Sequence, residues 1–134
     1  MNDELLKFTV IISKTAGKFV FCKHRERTTY ELAGGHRELN ESIDDAARRE
    51  LYEETGAVEY TLDPICIYSV TTTDDSGTNA VNYGKLYFAD ITRFESELHH
   101  EIERITITDT LPDALTYPDI YPMLLQEAKR RKII

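Results

Sequence analysis

The sequence predicts an α+β fold, a sheet flanked by helices. Three observations carry that prediction: short runs of β-branched and aromatic residues in both halves of the chain, a capped helical segment between them, and a second amphipathic segment at the C-terminus. Phe8 to Ser13 and Lys18 to Lys23 are strand-like and are separated by Lys14-Thr15-Ala16-Gly17, a pattern that predicts a β-hairpin. Thr28 to Leu32 is read as a third short strand that ends at Gly34-Gly35. Ser42 then offers an N-cap, Asp45 stands three residues on in capping-box position, and Gly56 supplies a stop. The predicted helix runs from Ile43 to Thr55.

Ile65 to Thr73 and Val81 to Asp90 read as two strands joined by the polar loop 74–79, and Ile102 to Thr108 as another strand. Tyr117-Pro118 breaks the chain. From Asp119 to Lys132, Ile120, Leu124 and Ala128 recur at helical spacing, and Lys129, Arg130, Arg131 and Lys132 lie at the negative end of the helix dipole. No repeat, low-complexity tract or linker interrupts the pattern.

A chain of 134 residues with 41% apolar content is expected to form one domain around one core. Its formal charge of −8 argues against a duplex nucleic-acid partner, because generic affinity for phosphate backbones comes from Lys and Arg. Divalent cations held by carboxylates would still let such a chain meet phosphate esters. Cys22 and Cys66 are the only cysteines and are read as two buried thiols rather than a bridge. No run reaches the length that spans a bilayer, and the first seven residues lack a signal-like pattern, so no membrane partner and a cytoplasmic location are expected.

The chemistry concentrates in Gly35-His36-Arg37-Glu38-Leu39-Asn40-Glu41 and the helix that follows. At 3.6 residues per turn, Ile43, Ala46, Ala47, Glu50 and Glu54 share one stripe, with Glu53 at its margin. The apolar end of that stripe faces a core, so its continuation turns carboxylates inward. Crowded like charges near a partly buried site are costly unless a cation or proton compensates. A hard divalent ion with oxygen ligands answers this, and Mg²⁺ suits carboxylates that share their metal with substrate phosphates. Adjacent His99 and His100 point to opposite sides of an extended segment, and no Cys or second His pair stands at ligand spacing to them, so a zinc site there is set aside.

The segment resembles the signature of the Nudix hydrolases: Gly, five residues, Glu, seven residues, Arg-Glu, an aliphatic residue, any residue, Glu-Glu, any residue, Gly and an aliphatic residue. Gly35, Glu41, Arg49, Glu50, Leu51, Glu53, Glu54, Gly56 and Ala57 fill those positions without a gap. Chance agreement is on the order of 10⁻⁸ per start position at ordinary residue frequencies. Ala33, where the family often has Pro, and the small Ala57 are the departures, and neither removes a carboxylate.

The resemblance implies the family's α/β/α sandwich and Mg²⁺-dependent hydrolysis of a diphosphate linkage, with Mn²⁺ as a substitute ion. It implies that Glu50, Glu53 and Glu54 ligate the metal with the Gly34 carbonyl, that Arg49 orients these carboxylates, and that Glu41 braces Arg49. Glu101 is the candidate general base outside the signature. The short chain and its lead-in are most similar to the MutT-like group, which implies a nucleoside triphosphate cleaved to a monophosphate and pyrophosphate. Lys23, Arg25, His36 and Arg37 are candidate phosphate contacts, and Tyr30, Tyr83 and Tyr117 candidate surfaces for a base. ADP-ribose, a dinucleoside polyphosphate or a 5′-triphosphorylated RNA end are alternative substrates within the family. A non-catalytic nucleotide sensor is the alternative outside it, disfavoured by the three intact helix glutamates. The partner implied is a small nucleotide, and the protein is expected to be a monomer or homodimer.

Overall fold

The computed structural model describes residues 2–99 and 101–134. A 3-10 turn (Asp3–Leu5) leads into β1 (Leu6–Thr15), β2 (Lys18–His24), β3 (Ala33–His36), α1 (Ile43–Thr55), β4 (Ala57–Thr73), β5 (Asn79–Phe94), β6 (Ile102–Thr108) and α2 (Tyr121–Arg130). The strands form one six-stranded sheet in the order β4-β5-β1-β2-β6, with β3 also on β1. β1 and β5 run parallel and the other pairings are antiparallel, so the sheet is mixed.

The sheet separates two cores because successive strand residues point to opposite faces. Ile11, Val20, Tyr87, Ala89 and Ile91 pack with Ala47 and Leu51 of α1. Their neighbours Ile12, Phe21 and Leu86 pack on the other side with Tyr121, Leu124 and Ala128 of α2. The two helices therefore lie on opposite faces, which gives the three-layer α+β sandwich expected. Ala46 and Ala47 are fully buried, and their small side chains let α1 pack closely on the sheet, so Glu50 and Glu54 on the following turns meet Gly35 and Gly34 of β3.

Local signals explain α1. The Ser42 hydroxyl accepts the Asp45 N–H at 3.1 Å, and Gly56 closes the helix in the left-handed region at φ 77°, where a side chain would be strained. Several boundaries differ from the sequence prediction, and β1 and β5 each run longer at both ends. The third strand is Ala33–His36 rather than Thr28 to Leu32, whose Tyr30 and Glu31 form only isolated bridges to Leu115 and Cys22. The glycines, read as the end of a strand, are its middle: Gly34 and Gly35 pair with Val10 and Thr9, and a Cβ on Gly34 would run into the Thr9 carbonyl. α2 begins at Tyr121 and ends at Arg130, not at Asp119 and Lys132, because Pro122 sets its first turn and Lys132 lies at φ 61°. β4 starts directly after α1, eight residues before the predicted Ile65.

Both cysteines are free thiols; Cys22 is fully buried, whereas Cys66 is only half-buried. Among the described residues, no helix is long and apolar enough to cross a membrane.

Candidate active site

The site forms where the sheet forks. β1 pairs with β2 only from Ser13 to Thr15; from Phe8 to Ile11 its neighbour on that edge is β3. The last turn of α1 lies against this fork, and Glu54 spans it. One Glu54 oxygen accepts the Gly34 N–H of β3 at 2.7 Å, and the other lies 2.8 Å from His24 Nε2 at the end of β2. Glu54 is 5% exposed. Burial pushes its carboxyl up from the usual range, and the bonds to His24 and Gly34 pull the other way. The same contact raises the His24 imidazole, chiefly through its hydrogen bond to Glu54.

Glu50 lies one turn earlier and points at Gly35, where an added Cβ would fall 2.7 Å from the Glu50 carboxylate. Burial first, and then the nearby Glu54, push the Glu50 carboxyl up to about 7. Arg49 binds the cluster from outside. Its Nε and Nη2 donate to the two Glu41 oxygens at 2.8 and 3.0 Å, and its Nη1 donates to Glu50 at 2.6 Å and to Glu53 at 3.4 Å. Nη2 also donates to the His36 carbonyl at 3.0 Å, which ties the end of β3 to the helix. One guanidinium thus fixes three carboxylates, a planar fork-to-fork arrangement that a Lys could not reproduce.

Arg49, His24 and Arg37, which acts on Glu41, are three cations against the four carboxylates of Glu41, Glu50, Glu53 and Glu54. Glu50, Glu53 and Glu54 share the last turns of α1, and the absence of a side chain on Gly35 leaves the room that the Glu50 carboxylate fills. Carboxylate oxygens in excess of nearby cations fit a hard divalent ion.

A pocket of about 560 Å³ opens beside this edge. Glu54, His24, Gly34 and Gly35 line one part of it. Phe8 and Tyr68, with ring centroids 5.6 Å apart, form part of its floor, and Tyr117 and Tyr121, also 5.6 Å apart and edge to face, form a wall. Asn82 of β5 contributes a neutral amide to the lining. The aromatic share of this wall suits a planar ring next to a polyanion-binding end.

Of the substrate contacts predicted from sequence, His36 and Tyr117 line the pocket and the others do not. Lys23 is buried on β2 and pairs with Glu103 at 3.1 Å. Tyr30 accepts hydrogen bonds from Arg104 at 2.9 and 3.2 Å and packs against the α2 core. Arg37 donates to the carbonyls of Leu6 and Glu41 at 3.0 and 2.9 Å, so it staples the loop before α1. Tyr83 packs with Leu6, Ile43 and Ala46, on the α1 face and away from the pocket. The Arg25 backbone N–H donates to the Glu101 carbonyl at 2.9 Å, which places Glu101 beside the end of β2, with its side chain exposed. His99 stacks edge-on against Tyr52 at 4.7 Å, and His100 lies outside the described residues.

Sequence reasoning misses His24, Glu31, Phe8, Tyr68, Asn82 and Tyr121. His24 carries a usable signal, since alternation along β2 puts it on the side of Val20 and Cys22, toward α1. The others come from four separate elements and, for Glu31, the segment between β2 and β3, and meet only in the folded chain.

A family model for the NUDIX domain matches residues 4–105 of the chain. A Bacillus subtilis (strain 168) protein named as a candidate 8-oxo-dGTP diphosphatase, YtkD, is 29% identical over 123 residues, which is 91% of this chain and 74% of that protein. The Bacillus subtilis pyrophosphohydrolase BsRppH, solved as a mutant protein, superposes with a TM-score of 0.77 at 26% identity, covering 96% of this chain and 84% of that one. A NUDIX hydrolase from Nitrosomonas europaea superposes with a TM-score of 0.72 at 19% identity over 95% of this chain and 90% of the other.

Proposed function

The chain belongs to the Nudix family and is a pyrophosphohydrolase, and from that premise we propose that it cleaves a nucleoside triphosphate to the monophosphate and pyrophosphate with Mg²⁺. One observation carries the reading: Glu54, on the same last turns of α1 as Glu50 and Glu53, lines an aromatic pocket large enough for a nucleoside. The name of the YtkD relative, an 8-oxo-dGTP diphosphatase, supports a triphosphate substrate, and the name pyrophosphohydrolase of BsRppH supports the reaction class.

Glu50, Glu53 and Glu54 would hold the ion, which when bound supplies charge neutralisation of the phosphates and activation of the attacking water. The protein's own part is positional. Arg49 orients Glu50 and Glu53, and Glu41 holds Arg49 in place. The Gly34 N–H fixes one Glu54 oxygen and leaves the carboxylate edge facing the pocket. Phe8, Tyr68, Tyr117 and Tyr121 receive the base, and the phosphate chain extends toward Glu54.

The test is a product assay across nucleoside triphosphates, 8-oxo-dGTP included, with ADP-ribose, dinucleoside polyphosphates and 5′-triphosphorylated RNA as competitors. Turnover of a nucleoside triphosphate to a monophosphate and pyrophosphate supports the reading. Turnover confined to ADP-ribose or dinucleoside polyphosphates overturns the triphosphate assignment and leaves the family assignment standing.

A further inference from the structure

Beside the carboxylate edge stands a donor set of a different chemical kind. Cys22 Sγ, a ring nitrogen of His24 and a Glu54 carboxylate oxygen all lie within 4.8 Å of one another. Cys22 and His24 are two apart on β2 and so point the same way, and Glu54 is lowered onto them by the last turn of α1. Bonds of ordinary zinc length, in tetrahedral geometry, separate ligand atoms by roughly 3.4 to 3.6 Å. Small side-chain rotations that draw the wider pairs together by about an ångström meet that requirement. A fourth side is present too: Glu31 is buried, its carboxylate lies 3.9 Å from His24 Nε2, and Arg27 holds it at 2.6 Å.

The geometry points to a soft-metal site: Cys22, His24 and Glu54 bind Zn²⁺ or a chemically similar transition-metal ion, and in doing so withdraw Glu54 from the Mg²⁺ cluster. A thiolate and an imidazole select Zn²⁺ over Mg²⁺, which prefers oxygen donors and octahedral geometry. His24 and Glu54 line the pocket, so the ion enters from the substrate side, and Cys22 closes the site from beneath. The proton account is simple: the ion displaces the thiol proton of Cys22 and the proton shared by His24 Nε2 and Glu54, and both go to solvent. The consequence is inhibition, because one carboxylate cannot serve both ions. That consequence rests on the proposed role of Glu54 in the magnesium cluster, whereas the metal site itself does not.

Co²⁺ is the probe that separates the two. Chelator-treated protein titrated with Co²⁺ should develop a thiolate-to-cobalt charge-transfer band at one ion per chain, and Zn²⁺ should abolish it. The chain has two cysteines, so Cys66→Ser leaves Cys22 as the sole thiol and should keep the full band. Cys22→Ser should lose it, and Zn²⁺ inhibition of hydrolysis at fixed Mg²⁺ should weaken by at least about tenfold. Should Cys22→Ser fail to fold, the Cys66→Ser protein decides the question alone. No band in the wild type, loss of the band in Cys66→Ser, or unchanged zinc sensitivity in a folded Cys22→Ser overturns the proposal. A Cys22-dependent band in a protein that shows no magnesium-dependent hydrolysis upholds the site and refutes the function proposed above.

Discussion

Glu50→Gln should make the metal-free protein more stable at pH 8 while removing most of its activity. Burial and Glu54 hold the Glu50 carboxyl up at about 7 against an ordinary 4.5. Between those values the unfolded chain has released this proton while the folded chain still holds it. Folded stability therefore falls as pH rises from 4.5 to 7 and stays at its lower level above that window. At roughly 1.4 kcal/mol per pH unit, the gap amounts to about 3 kcal/mol. Gln keeps an acceptor for the Arg49 Nη1 but carries no charge, so it should recover about half of this or more. With an unfolding entropy of roughly 2.1 cal/mol/K per residue, a chain of this length gains about 4 °C per kcal/mol, which predicts a rise of roughly 5 to 10 °C at pH 8. At pH 5 the difference should shrink below about 1 kcal/mol, because folded Glu50 is then already protonated. Paired thermal melts in chelator at the two pH values measure this directly. Added Mg²⁺ should raise the wild type through binding to the native state and raise the variant much less. A variant that melts below wild type at pH 8, or a gap that does not change with pH, would refute the idea that Glu50 is held ionised at a cost which a cation relieves.

Gly35→Ala places a methyl where the Glu50 carboxylate now lies. Since only the end of a flexible side chain must move, the melting temperature should change by a few degrees at most, while turnover falls roughly 10- to 10²-fold; equal activity would show that the Glu50 position does not matter. Arg49→Ala should lower kcat by about 10²-fold with little change in KM, because Arg49 touches Glu41, Glu50 and Glu53 rather than the pocket, and a raised KM at constant kcat would make it a substrate contact instead. Tyr68→Ala removes one face of the pocket floor and should raise KM for a nucleoside triphosphate by about tenfold or more, with a smaller effect on kcat. An unchanged KM would place the base elsewhere.

The chemistry of the site is easier to read from sequence than its shape, for a physical reason. α1 is local: its cap, its stop and its stripe of apolar and acidic residues all lie within fifteen consecutive positions, and helical periodicity converts that spacing into direction. The sandwich is also legible, because alternation in β1, β2 and β5 separates two apolar sets. β3 escapes the pattern because its core is Gly34-Gly35, which carries no side-chain signal and owes its strand character to pairing with β1. The pocket is out of reach, since Phe8, Tyr68, Asn82 and Tyr121 meet only through the order of the strands and the placement of α2. Charged residues near the signature mislead for a related reason. Lys23 and Arg37 look like phosphate ligands along the chain, yet one is paired in the sheet and the other is spent holding the loop before α1.

Phosphorus-31 NMR of a nucleoside triphosphate incubated with the protein tests the central claim most directly. The account predicts nucleoside monophosphate and pyrophosphate in equal amounts, in the presence of Mg²⁺ only, with the signals halted by chelator and lost in a folded Glu53→Gln variant. Release of orthophosphate with a nucleoside diphosphate, or turnover that survives both the chelator and the substitution, would contradict it.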